Sequence, residues 1–289
     1  NKINSFDNWS KIINFFKKQL KIKRKFNGKN NDVYTIRNNQ ILVKKFNNIN
    51  SFKNFDNEKK FSNFLANNKI YDTPRIIRIS DSRKVIKYEY IKHKKIKVNK
   101  NLIIDNFNFI KKINKLNFKK EKFSFAVDFC KNPISYKIEL ENRLSKFTNC
   151  SEYKKNQELR KVINNIKLKF IFLKNKNYFK NNYYLTKKNL ILSPCDFHYS
   201  NMMIRDKIYY NDFEYSGLDD PAKLYSVYFL QPEYYLKKDL FFNICKKILF
   251  FKKKNKIIER IIYLFPIIYL RWCLIILNPL KNRSFYKIS

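Results

Sequence analysis

Between residues 193 and 217 the chain reads SPCDFHYSNMMIRDKIYYNDFEYSG, gathering Asp196, His198, Asn201 and Asp212 into one short stretch. His198 is one of only two histidines. Asp and Asn are common turn formers, so each alone says little. Together they match one demanding chemistry. Phosphoryl transfer from a nucleotide to a hydroxyl needs a carboxylate beside the attacking oxygen, oxygen ligands for Mg²⁺ and a cation on the phosphates. Magnesium prefers oxygen donors and usually takes only one or two carboxylates from the protein. Asp196 follows the apolar run Leu190-Ile191-Leu192 and sits in a loop, where it can accept a proton. Asn201 lies far enough along that loop to turn back toward a metal. Asp212 closes the strand-like KIYYND, and a turn at Arg205-Asp206-Lys207 folds that strand beside the one bearing Met202 and Met203. Such a hairpin carries Asp212 toward Asn201. Cys195 adjoins Asp196, but no His-to-Cys spacing sets it up as a nucleophile.

The elements that must hold this stretch can be read on either side of it. Phe6, Trp9, Ile12, Ile13, Phe16 and Leu20 recur at helical spacing, predicting an amphipathic helix within residues 6–24. After Gly28, residues 28–46 alternate as two strands about a polar turn at Asn38-Asn39. Phe52, Phe55, Phe61, Phe64 and Leu65 then keep helical period, with Glu58 in their middle. TPRIIRIS and KVIKYEYI read as two further strands joined by a turn at Asp81-Ser82. Beyond His93 the pattern changes: residues 101–185 are helical periods broken at Pro133 and near Thr148. Residues 190–213 form strand, loop, strand, tight turn and strand, and the remainder reads as helical. The expected fold class is α+β in two lobes, a small antiparallel-sheet N-lobe (1–93) and a larger, mainly helical C-lobe (94–289). A cleft between lobes is the natural ligand site.

Composition constrains the partners. A formal net charge of +40 points on its face to polyanions. Yet Lys, Asn, Ile, Phe and Tyr are over-used together while Gly occurs only twice, the joint bias of an AT-rich coding sequence. The lysines are also spread along the chain without the Arg and aromatic alternation of a base-reading surface. Dedicated nucleic-acid binding is therefore not expected. The five cysteines lack C-x-x-C spacing, which indicates neither a disulfide framework nor a zinc site and fits a cytoplasmic protein. The first residues lack the features of a signal peptide. Near the other end, IIYLFPIIYLRWCLIILNPL is very apolar, but Arg271 interrupts it and Pro266 is expected to break it, leaving runs too short for a bilayer of about 30 Å. The expectation there is a buried helix with a charged residue at a site or interface, and no transmembrane segment. Nothing in the sequence speaks to oligomeric state.

CDFHYSN followed by YYNDFEYSGLDDPAKL resembles the catalytic loop and metal-binding segment of the aminoglycoside phosphotransferase and choline kinase superfamily, with its protein-kinase-like fold. The family pattern, H-G-D-x-H-x-x-N and then I-D-[FW]-E-x-A-G-x-x-D-P-A, falls on Asp196, His198, Asn201, Asp212, Glu214, Gly217, Asp220 and Pro221. Pro194 and Cys195 depart from it, and the closing RWCLIILN is similar to a bacterial small-molecule phosphotransferase subgroup that shows the same departure. The resemblance implies Asp196 and His198 as catalytic residues and Asn201 and Asp212 as magnesium ligands. It likens NGKNNDVYTI, including Asn31, to the phosphate-covering loop, and ILVKKF to the strand bearing the phosphate-contacting lysine. That lysine is Lys44, with Lys45 as the alternative, and Glu58 matches the acid that orients it. VIKYEYIKH resembles the hinge, where Glu89, Tyr90 and Ile91 would receive adenine. The implied activity is ATP- and Mg²⁺-dependent phosphorylation of a small-molecule hydroxyl. With 23 acidic against 63 basic residues, the acceptor is expected to be a sugar or related metabolite rather than a polycation. A catalytically silent nucleotide-binding module and a basic nucleic-acid-binding protein are the alternatives.

Overall fold

The computed structural model describes residues 31–36, 40–47, 49–94, 96, 98–180, 183–231, 244–245, 249–250 and 254–281. The helix expected within residues 6–24, Gly28 and the Asn38-Asn39 turn lie outside them. Two strands, β1 (Asn31–Ile36) and β2 (Ile41–Phe46), pair antiparallel as the alternating pattern predicts. Helix α1 (Ile49–Asn67) follows, and then β3 (Ile76–Ser80) and β4 (Val85–Glu89) complete an antiparallel sheet in the order β1-β2-β4-β3. Helix α1 seals one face of this sheet. Phe55 is fully buried and meets the Phe46 ring edge-on at 5.5 Å, beside Ile86 and Tyr88. Burial of one such ring is worth about 2–3 kcal/mol, so the phenylalanine spacing that predicted the helix also binds it to the sheet.

The rest of the chain builds a helical body around a short hairpin. Helix α2 (Lys100–Asn114) is followed by α3 (Pro133–Thr148), α4 (Ser151–Lys155) and α5 (Gln157–Asn175). Asparagines supply the caps: Asn99, Asn132 and Asn156 each accept a backbone N–H from the first turn of a helix. Pro133, read as a break, is the first residue of α3, where its missing N–H costs nothing. Strands β5 (Ile191–Ser193), β6 (Met202–Ile204) and β7 (Ile208–Tyr210) follow, with β6 and β7 paired across the tight turn. The remaining elements are β8 (Gly217–Asp219), α6 (Pro221–Phe229) and α7 (Lys254–Leu277). Phe107 of α2 stacks on Tyr225 of α6 at 4.3 Å. Between these helices the buried Asn106 donates to the Tyr228 hydroxyl and accepts from that of Tyr210.

Two expectations are corrected. The chain after residue 213 is not all helical, because β8 pairs antiparallel with β5. Three residues are too few to show an alternating pattern, and the partner lies far back in sequence. Pro266, moreover, does not break the apolar segment, since α7 runs through it. Proline within a helix costs about 3 kcal/mol, but Ile261, Leu264, Ile267, Ile268 and Leu270 are buried around it, each worth about 1.5–3 kcal/mol. Burial outweighs the lost hydrogen bond. With its following turn the helix is long and apolar enough to cross a membrane by length and composition, but 56% of its most apolar window is buried within the protein.

Candidate active site

Strand β2 turns Lys44 inward and Lys45 outward, so the sheet itself chooses between the two lysines. The Lys44 ammonium meets three carboxylates: Glu58 of α1 at 2.5 Å, Asp212 at 2.6 Å and Glu214 at 3.3 Å. Burial works against its charge, but Asp212, Glu58 and Glu214 outweigh that and raise its pKa well above the ordinary lysine value. Glu58 is held from its other side by the Tyr88 hydroxyl, which donates at 2.9 Å. Burial pushes the Glu58 carboxyl up to about 7, against the pull of Lys44. Oxygens of Glu58, Asp212 and Glu214 lie within 4.8 Å of one another, close enough to hold one metal ion. These are hard oxygen donors facing one cleft, and their excess of negative charge suits a divalent cation such as Mg²⁺.

Glu214 falls on the motif, yet spacing alone gives it no role. The signal is its place two positions beyond Asp212 in NDFE, within the segment that carries the motif. Asn31, at the start of β1, donates through its amide to Glu214. It thus ties the sheet to the acidic cluster.

The Asp196 loop leaves β5 through a tight turn. Ser193 Oγ accepts from the Cys195 amide, and Cys195 has φ of 65°, a left-handed conformation that favours glycine. Cys195 therefore holds a backbone shape that cysteine adopts under strain. Asp196 then receives His198 Nε2 at 2.7 Å and Asn201 Nδ2 at 3.1 Å. Burial alone would raise this carboxyl, but the His198 hydrogen bond and charge, with Asn201, hold it below the usual aspartate range. Asn201 Nδ2 also donates to the Asp196 carbonyl, so the loop closes on itself. The Asn211 amide donates to the Asn201 carbonyl at 3.0 Å, which brings Asp212 alongside. Asp212 also has a left-handed backbone, φ 63°, a conformation that in a non-Gly residue is typically held by surrounding structure at functional positions. Burial raises the Cys195 thiol to about 12, so it is protonated at neutral pH and is no nucleophile.

Two cavities meet at this loop. One, of about 140 Å³, lies beneath the sheet and is lined by Val33, Leu42, Lys44, Tyr88, Asn201 and Asp212 among others. The second, of about 570 Å³, is lined by Asp196, His198, Asp128, Lys223, Arg271 and Trp272 among others, and Ser200 borders both. Glu89, Tyr90 and Ile91 do not line the first cavity but follow at the end of β4. The Glu89 amide already donates to the Arg75 carbonyl and that of Tyr90 to Gln40. Of the residues singled out from sequence, Lys44, Glu58, Asn201 and Asp212 share the first cavity. Asp196 and His198 face the second.

Solved structures share this architecture. The streptomycin–ATP–APH(2'')-IIa ternary complex matches with a TM-score of 0.56 at 20% identity, over 87% of this chain and 85% of that one. The structures show one fold. This chain has the two-lobed fold of the aminoglycoside phosphotransferases and choline kinases. Within this kinase-like fold, choline kinase from Cryptosporidium parvum Iowa II matches at TM-score 0.54 and 16% identity, over 92% of this chain and 88% of that one. Spectinomycin phosphotransferase APH(9)-Ia, in complex with ADP and spectinomycin, matches at TM-score 0.55 and 10% identity, over 96% and 90%. No protein-family model and no curated protein matches the sequence.

Proposed function

We propose that this protein is an ATP- and Mg²⁺-dependent phosphotransferase that moves the γ-phosphoryl group to a hydroxyl of a small molecule, a sugar or related metabolite. The observation that carries the reading is the convergence of Lys44, Glu58, Asp212 and Glu214 in one cleft, separated only by the Asp196 loop from a second, larger cavity. Nucleotide in the first cavity and acceptor in the second would meet at Ser200. In this reading residues 1–93 form the nucleotide lobe, Glu89, Tyr90 and Ile91 bordering the base, and residues 94–289 the acceptor lobe.

The roles follow from the charges. Lys44, oriented by Glu58, turns from the carboxylates to the phosphates when nucleotide arrives. Asp212 and Asn201 would hold Mg²⁺, with Glu214 adjacent. Bound there, the ion would neutralise charge on the β- and γ-phosphate oxygens. Asn31 secures Glu214 from the sheet side. Asp196 accepts the acceptor's hydroxyl proton, and His198 keeps that carboxyl ionised and aimed. Asp196→Asn is expected to lower turnover at least about a hundredfold, a general-base contribution, while ATP–Mg²⁺ still raises the melting midpoint. ADP formation measured with a phosphorylatable acceptor checks this, and full activity in the variant would remove Asp196 from the mechanism.

A further inference from the structure

The cavity beside Asp196 carries its own chemistry, and its role as an acceptor site rests on the phosphotransferase reading. Three cations line it, Arg143, Lys223 and Arg271, and each already has a carboxylate. Lys223 is 3.0 Å from Asp219 and also donates to the Asp128 carbonyl at 2.6 Å. Arg143 pairs with Glu139. Arg271, buried in α7, binds Asp128 and stands 3.0 Å from Glu139. Among the described residues lining it, an anionic acceptor therefore finds no cation without a carboxylate partner.

Asp128 is the exception in exposure. Its Oδ2 accepts from Arg271, yet 43% of its side chain remains open. Burial opposes its ionisation, but Arg271, Lys223 and Arg143 outweigh burial and hold the carboxyl below its usual range. It is a fixed, ionised acceptor already paired with Arg271, so an arriving ammonium gains less from it than from an unpaired carboxylate. A neutral hydroxyl gains a charge-assisted hydrogen bond without facing repulsion. Val227, Ile268, Ile275 and Trp272 line the same cavity, an apolar surface for the C–H face of a ring. The Trp272 indole N–H is buried without a partner among the described residues.

We propose that this cavity takes a neutral polyhydroxyl acceptor, and that Asp128, held by Arg271, binds a second hydroxyl while Asp196 faces the one to be phosphorylated. Asp128 is thus a specificity residue and Arg271 its positioning residue. The loop Val127–Asp128 and helix α7 both border the cavity, so the pair joins distant segments at the acceptor.

The test offers ATP–Mg²⁺ with D-glucose, myo-inositol and N-acetylglucosamine, and separately with choline, kanamycin and glucose 6-phosphate. Phosphorylated product is followed by ³¹P NMR and acceptor KM is measured for wild type and Asp128→Ala. Transfer to a neutral probe is expected, with KM for it rising about 10- to 100-fold in Asp128→Ala, the loss of a hydrogen bond to a charged group, and KM for ATP unchanged. Asp128→Asn, which retains an oxygen for Arg271, guards against misfolding and should raise the same KM less. The acceptor class is overturned if choline, kanamycin or glucose 6-phosphate has the higher kcat/KM, or if no neutral probe is phosphorylated while ATP–Mg²⁺ still stabilises the protein. An unchanged acceptor KM in Asp128→Ala removes the specificity role. Absence of any ATP–Mg²⁺ stabilisation sinks the phosphotransferase reading itself.

Discussion

At the scale of residues, the site depends on carboxylates whose protonation is set by neighbours. Asp196 is the clearest case, since burial and hydrogen bonding act on it in opposite directions and hydrogen bonding wins. Its folded pKa lies below the unfolded one. Its contribution to stability is therefore present above the ordinary aspartate pKa of about 3.9 and is lost as pH falls through the depressed folded value. Replacing His198 by Leu removes the main stabilising partner and lets burial raise the carboxyl. The acidic limb of the kcat/KM profile should move to higher pH in His198→Leu, with kcat reduced. A pH–rate profile with an unmoved acidic limb would show that His198 does not tune this carboxylate. The types and spacing of Asp196, His198, Asn201 and Asp212 were legible in one short segment. Asp128 was not, because nothing local to FAVDF distinguishes a carboxylate that meets an arginine from α7.

At the scale of elements, local pattern succeeded where the partner was local or the period long. The phenylalanines of α1 and the two hairpins of the sheet followed from spacing alone. Strand β8 did not, because it is defined by segments it meets from elsewhere in the chain. Gly217 shows how closely they meet. A Cβ there would lie 2.6 Å from the Ala126 nitrogen and 2.6 Å from the Ser124 carbonyl oxygen, both backbone atoms with little room to yield. Its backbone does not need glycine's freedom; its neighbours need glycine's size. Gly217→Ala is expected to destabilise the protein by about 1–3 kcal/mol, the usual cost of overpacking. A urea midpoint equal to wild type would mean that the 124–126 segment shifts freely.

At the scale of the whole molecule, the charge of +40 and the acidic cleft pull the functional reading in opposite directions. A generically basic surface attracts any polyanion, and such attraction fades with salt. On the phosphotransferase reading the cleft is specific, its three carboxylates and one lysine taking a metal and a phosphate together. Thermal unfolding at fixed salt should therefore rise with ATP and Mg²⁺ together, by about 2.7 kcal/mol at a hundred times the dissociation constant, and rise far less with either alone. Asp212→Asn should abolish the gain. Equal stabilisation by inorganic polyphosphate without Mg²⁺ would instead favour a general polyanion binder.

What the sequence determined by itself was whatever adjacent residues can encode. It set the periods of the helices and strands, the caps that asparagine provides, and the loop and hairpin that carry Asp196, His198, Asn201 and Asp212, whose members lie close along the chain. The tertiary structure decided what depends on distant segments meeting. It turned Lys44 rather than Lys45 toward Glu58, drew Glu214 into the same cluster, and joined β8 to β5. It also carried α7 through Pro266 and set Arg271 against Asp128. The physical reason is shared by all five. Each outcome is a competition between a local preference and the free energy of burial or charge pairing, and that second quantity exists only once the chain has folded.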